Sequence, residues 1–76
     1  MNEAANDPIA GPKPKRLVRL GEVIDRVGVG KSAIYARIRA KTFPAPVPLG
    51  GGSVAWVEAE VDAWIAARIE ERDQAA

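Results

Sequence analysis

Residues 27–35 read VGVGKSAIY, and Gly30-Lys31-Ser32 within them are the letters that close the phosphate-binding loop of many nucleotide hydrolases. In such a loop successive backbone amides cradle phosphates and the lysine adds positive charge. The motif has the form GxxxxGK[S/T], and its first glycine falls here on Asp25, a carboxylate where phosphate would lie. The loop must also follow a strand, whereas the residues before Gly30 are spaced as a helix and leave no room for a parallel sheet. Nucleotide binding is excluded. What remains is a glycine, a lysine and a serine opening a helix, where unpaired amides already attract phosphate.

Other chemistry is scarce. The 76 residues contain no cysteine and no histidine. Disulfides, zinc–thiolate sites, thiol nucleophiles and the usual general base near neutral pH are all removed. Glu58, Glu60 and Asp62 sit early in a helical stretch, where the helix dipole favours acids, so they read as structural rather than as a metal or acid–base set. Trp56 and Trp64, at strand and helix spacing beside Val61 and Ile65, read as core. No enzyme, cofactor or metal is expected. The apolar residues form no run long enough to span a membrane, and MNEAANDPIAGPKPK is not a secretory signal, so the expectation is a soluble cytoplasmic protein.

The net charge of +1 hides a polarised chain. Residues 1–14 set Lys13 against Glu3 and Asp7, for −1. Residues 15–41 set Lys15, Arg16, Arg19, Arg26, Lys31, Arg37, Arg39 and Lys41 against Glu22 and Asp25, for +6. Residues 42–76 set Arg68 and Arg72 against six acids, for −4. A basic segment of this kind points to a polyanionic partner, the alternative being two solvated faces of different sign.

The elements that hold these residues follow from spacing. Residues 1–14, rich in proline and poor in apolar groups, are expected to be a disordered tail. Residues 15–72 are expected to form the domain, and 73–76 a frayed end. RLVRL, Arg16 to Leu20, is β-prone. Leu20, Val23, Ile24 and Val27 then mark a two-turn helix, with Gly21 as N-cap and Gly28 as left-handed cap. Gly30 caps a second helix, Lys31 to about Lys41, stopped by Phe43-Pro44. Two short helices around a tight glycine turn are a helix-turn-helix pattern. Pro46–Leu49 and Ser53–Trp56 flank Gly50-Gly51-Gly52 as a hairpin whose prolines confine it to a sheet edge. A long helix begins near Val57, with Val61, Trp64, Ile65 and Ile69 on one side. The fold class is α+β: a small winged helix-turn-helix with three helices and a short two- or three-stranded antiparallel sheet.

On the second helix, Ile34 and Ile38 define the buried side, so Ser32, Tyr35, Ala36 and Arg39 lie opposite, flanked by Lys31 and Arg37. Lys31 strengthens the anion-attracting N-terminus, Arg39 can read a guanine edge or a phosphate, and Tyr35 offers a hydroxyl to phosphate. Bland roles stand beside these: Tyr35 closing the core edge, Arg37 solvating the helix, Ser32 acting as a local cap. Arg16 and Lys41 extend the candidate basic surface.

RVGVGKSAIY, FPAPVPLG and VAWVEAEVDAWI, in this order between Arg16 and Ile69, resemble the AlpA family of small phage and prophage regulators, excisionase-like relatives of the MerR-type winged helix-turn-helix. The resemblance implies a three-stranded sheet with RLVR as first strand, the hairpin as wing, and the helix from Lys31 in the major groove of double-stranded DNA. It implies contacts from Lys31, Ser32, Tyr35 and Arg39, with Arg37 supporting, and a role in transcription of integrase genes or in excision, where DNA bending favours the integrase. It also implies a bacterial, nucleoid-associated location. Two departures stand out: serine is usual where this chain has Gly30, and a basic residue is frequent at Ala36. The wing, often basic, is here Gly50-Gly51-Gly52-Ser53, which leaves backbone amides or Ser53 to touch phosphate. Weaker non-specific affinity and cooperative self-association along DNA are expected. The alternative is a protein-interaction module that docks an integrase or repressor, with DNA contact secondary.

Overall fold

The computed structural model describes residues 15–75. The tail expected over 1–14 lies outside them. The elements run β1 (Leu17–Val18), α1 (Leu20–Val27), α2 (Lys31–Arg39), β2 (Val47–Gly50), β3 (Ser53–Val57) and α3 (Glu58–Ala75). The three strands form an antiparallel sheet of order β1-β3-β2. This is a small α+β domain with the winged helix-turn-helix arrangement, α1 and α2 forming the helical pair and β2–β3 the wing.

β3 is the central strand because both neighbours need it. Leu17 pairs with Val57 and Val18 with Trp56 on one side, while Val47 pairs with Ala55 and Pro48 with Val54 on the other. β2 lies at the edge, where Pro48 costs no internal ladder bond. Gly50, Gly51 and Gly52 all have positive φ, at 93°, 61° and 82°, so the hairpin turns through a backbone that side chains disfavour. Val54 and Trp56 alternate onto the core side of the sheet. There Trp56, Val23, Ile34 and Val61 are fully buried, so one residue from each helix meets the central strand. Among the described residues no polar or charged residue is buried.

Several boundaries differ from the sequence expectation. α1 is capped by Arg19, not Gly21: Arg19 is extended, and its carbonyl accepts the first helical bond from the Val23 amide at 3.1 Å. Gly21 therefore falls inside the first turn. α2 stops at Arg39 rather than near Lys41, because Lys41 turns to φ 63°. The stop comes before Phe43-Pro44 acts. β2 is shifted one residue along from the expected Pro46–Leu49, to Val47–Gly50, while β3 runs one residue further than expected, so that Val57 belongs to β3. Its pairing with Leu17 delays α3 to Glu58, whose amide donates to the Arg16 carbonyl at 2.7 Å. Helical geometry in α3 continues to Ala75, past the expected limit at 72. Gly28 (φ 85°) ends α1, and Gly30 precedes α2 in extended geometry, both where expected.

Candidate nucleic-acid interface

α2 is held from below and open above. Ile34 is fully buried, and Ile38 and Tyr35 pack against the core from the same helix. Lys31, Ser32, Ala36 and Arg39 are exposed. Gly30 provides no side-chain acceptor for the first turn, and the first helical bond runs from the Ile34 amide to the Gly30 carbonyl at 3.0 Å. The amides of Lys31, Ser32 and Ala33 thus open the helix with no cap from Gly30, beside the Lys31 charge. This is anion-attracting geometry. Both arginines of the last turn, Arg37 and Arg39, sit where the dipole also favours cations.

The candidate residues divide into groups. Ser32 and Arg39 lie on the side of α2 away from Ile34 and Ile38, Lys31 is exposed at the helix N-terminus on the Ile34–Ile38 stripe, and Lys41 follows just beyond the helix end, also exposed. Tyr35 is half-buried: its ring meets Trp56 edge-on at 6.1 Å and 72°. It therefore closes the core edge, the bland role, whatever its hydroxyl does. Arg37 is half-buried too, and its Nη1 reaches back to the Ala33 carbonyl at 3.4 Å, a long bond along its own helix. Ser53 stands on a different element, at the start of β3 opposite Gly50.

Arg16 is drawn towards acid. Its Nε lies 3.7 Å from Glu58 Oε1, although the side chain stays mostly exposed. Glu58 is part of a cluster the sequence did not disclose. Arg26, on α1, donates to Glu58 at 2.7 Å and Asp62 at 3.0 Å on α3, and to Glu22 one turn back at 3.0 Å. These partners hold the Arg26 guanidinium above the usual arginine range, Glu58 most, then Glu22, with burial opposing and Asp62 adding. Glu58 and Asp62 thus do more than satisfy the α3 dipole: they tie α3 to α1. Arg26 is consequently unsuited to a nucleic acid. Only the Glu22–Arg26 spacing of four could have been read in advance.

The turn after α2 is pinned with equal care. The Thr42 amide and hydroxyl both donate to the Arg37 carbonyl, at 2.9 and 3.2 Å, and the Lys41 amide donates to Ile38. Trp64 Nε1 donates to the Thr42 carbonyl at 2.6 Å, and Phe43 meets the Trp64 ring edge-on at 5.0 Å. Among the described residues no ion pair engages Lys31, Arg39 or Lys41. No helix among them is long and apolar enough to cross a membrane.

A helix-turn-helix with an exposed, basic second helix and a hairpin wing has the architecture of a small DNA-binding regulator. The family model of the prophage CP4-57 regulatory protein (AlpA) matches residues 16–69. The chain belongs to this family, which is one of regulators, not of enzymes. It is 43% identical over 65 residues to the uncharacterized protein ORF88 of Enterobacteria phage P4, covering 86% of this chain and 74% of that protein. It is 39% identical over 59 residues to the DNA-binding transcriptional activator AlpA of Escherichia coli K12, covering 70% and 84% respectively. No solved structure matches the chain.

Proposed function

We propose that this AlpA-family protein is a DNA-binding transcriptional regulator that lays α2 in the major groove of double-stranded DNA. The observation that carries it is the exposed α2 surface: Lys31 and uncapped amides at one end, Arg39 near the other, and Ser32 and Ala36 between. Lys31 and the first-turn amides bind a phosphate, which sets position, while Arg39 reads a base edge, with guanine the best geometric match. The small side chains of Ser32 and Ala36 allow close approach to the groove floor. The E. coli relative's name as a DNA-binding transcriptional activator supports the same role here.

The finer output is control of integrase genes or direction of excision, the wing adding backbone or Ser53 contacts and neighbouring copies binding cooperatively. The uncharged wing supports reliance on neighbours, since it brings no cation of its own to the phosphates. The fold would then be used as in MerR-type winged helices.

Selection of bound duplexes from a random pool, followed by affinity in a salt series, tests the reading. Log affinity should fall linearly with log salt. Arg39→Ala should relax preference at one base pair, while Lys31→Ala should weaken all duplexes evenly. No duplex binding at low salt would refute DNA recognition. Direct repeats and strong bending in the selected sites would favour the excision role, and a single unbent site would oppose it.

A further inference from the structure

Five described residues have positive φ: Gly28, Gly50, Gly51, Gly52 and Lys41. Wherever else this fold needs a left-handed backbone it uses glycine, the residue that adopts it without a steric penalty. Lys41 at φ 63° is the exception, and it stands just after the C-terminus of the proposed recognition helix.

The strain is sustained by its surroundings. The Lys41 amide is bonded to Ile38, Thr42 is bonded twice to the Arg37 carbonyl, and Trp64 clamps the Thr42 carbonyl. Phe43, next along, is buried against Trp64. The backbone at 41 is therefore left-handed because its neighbours dictate it, and glycine would fit there better. Lysine is nonetheless present, exposed, and outside any ion pair among the described residues. The Thr42-to-Arg37 and Lys41-to-Ile38 bonds are the Schellman closure of α2, so the left-handed backbone belongs to the helix stop, and the choice of lysine over glycine there is what calls for a role.

Position supplies the function. Over α2, from Lys31 to Arg39, the helical rise amounts to roughly 12 Å, and Lys41 stands two residues further on. The major groove of B-DNA is about 12 Å wide. Resting on the reading of α2 as the DNA-binding helix, we infer that Lys41 is a phosphate anchor across the groove from Lys31, so that α2 is held at its two ends by phosphates of opposite strands. A pinned turn keeps this anchor at a fixed span from the first, which a flexible lysine further along the chain would not do. The competing role, a cation placed for the helix dipole, concerns stability and needs no DNA.

The test uses the full chain, carrying Lys41→Gly, Lys41→Ala or Lys41→Arg, and a duplex selected from a random pool, with single neutral methylphosphonates placed along each strand. K41G and K41A should both lose about tenfold in affinity at low salt, and their salt slopes should become shallower by about 0.9. K41R should bind as the parent does. K41G should melt about 4–8 °C above K41A, which isolates the left-handed backbone from the charge. The parent should be sensitive to methylphosphonates on both strands, K41G on one strand only. Parent binding that K41G leaves unchanged, with or without a change in melting, would overturn the anchor while sparing DNA binding by α2. Loss of sensitivity on the same strand for Lys31→Ala and K41G would overturn the span across the groove. A parent that binds no duplex would overturn both readings together.

Discussion

Trp56→Phe tests how the sheet supports the DNA-facing helix. Trp56 is fully buried on β3, its indole Nε1 donates to the Pro44 carbonyl at 3.0 Å, and its ring meets Tyr35 of α2 edge-on. Phenylalanine keeps an aromatic ring there, so the Tyr35 contact has a partner. It cannot donate, and the Pro44 carbonyl loses its bond in a half-buried site, which costs about 1–3 kcal/mol. The smaller ring also gives up about one to two buried methylene equivalents at ~0.8 kcal/mol each. The sum is about 2–4 kcal/mol, against a total stability of roughly 3–9 kcal/mol for a domain of this length.

Urea unfolding measures this loss directly, with Trp64 as the remaining fluorophore. The midpoint should drop sharply at unchanged slope, since the surface exposed on unfolding is nearly the same. At low temperature, where the variant remains folded, duplex affinity should stay close to that of the parent. A loss of no more than about 1.6 kcal/mol would refute the role of the indole bond, because transfer of the missing ring atoms alone accounts for that much.

Further outcomes follow from the caps and the ion cluster. Gly28→Ala places a Cβ at φ 85° in open space, so conformational strain alone should cost about 1 kcal/mol in urea unfolding, and Gly28→Asn less. Gly30→Ser adds a cap where the backbone is already extended and nothing obstructs a Cβ, and should stabilise by about 0.5–1 kcal/mol in the same assay. Arg26→Gln should lower the unfolding midpoint, since it leaves Glu22, Glu58 and Asp62 facing one another. Adding Glu58→Gln should then cost much less than it does in the parent, and additive losses would show that the two side chains do not act as a pair.

The sequence disclosed most of what is periodic or local. Leu20, Val23, Ile24 and Val27 announced α1, and Ile34 and Ile38 oriented α2, because a helix buries what recurs near every third or fourth residue. Gly28 and Gly30 marked the turn because their backbone needs are local. Errors fell where distant partners decide. Val57 sits in the apolar register of α3, yet pairing with Leu17 takes it into β3. Tyr35 lies on the outward side of a helical wheel, yet Trp56, far along the chain, draws its ring to the core edge. Lys41 carried no signal of its left-handed backbone, since glycine is the residue such a position normally displays.

Charge is the most instructive case. Summed along the chain, the basic segment and the acidic α3 look like two independent surfaces, one meant for a polyanion and the other for solvent. In the fold they are partly one device. Arg26 leaves the basic segment to meet Glu58 and Asp62, and Arg16 inclines towards Glu58, so acids of α3 neutralise cations beside β1 and α1. Lys31, Arg39 and Lys41 have no such partner among the described residues, and all three lie on α2 or directly after it. The acidic helix thus takes up Arg16 and Arg26, while Lys15 and Arg19 beside β1, like the α2 cations, enter no ion pair among the described residues. Replacing Glu58 and Asp62 with glutamines should therefore raise non-specific duplex affinity and steepen its salt dependence, while adding no contact to any base. Unchanged affinity in that variant would mean that Arg16 and Arg26 stay out of reach of DNA even when freed.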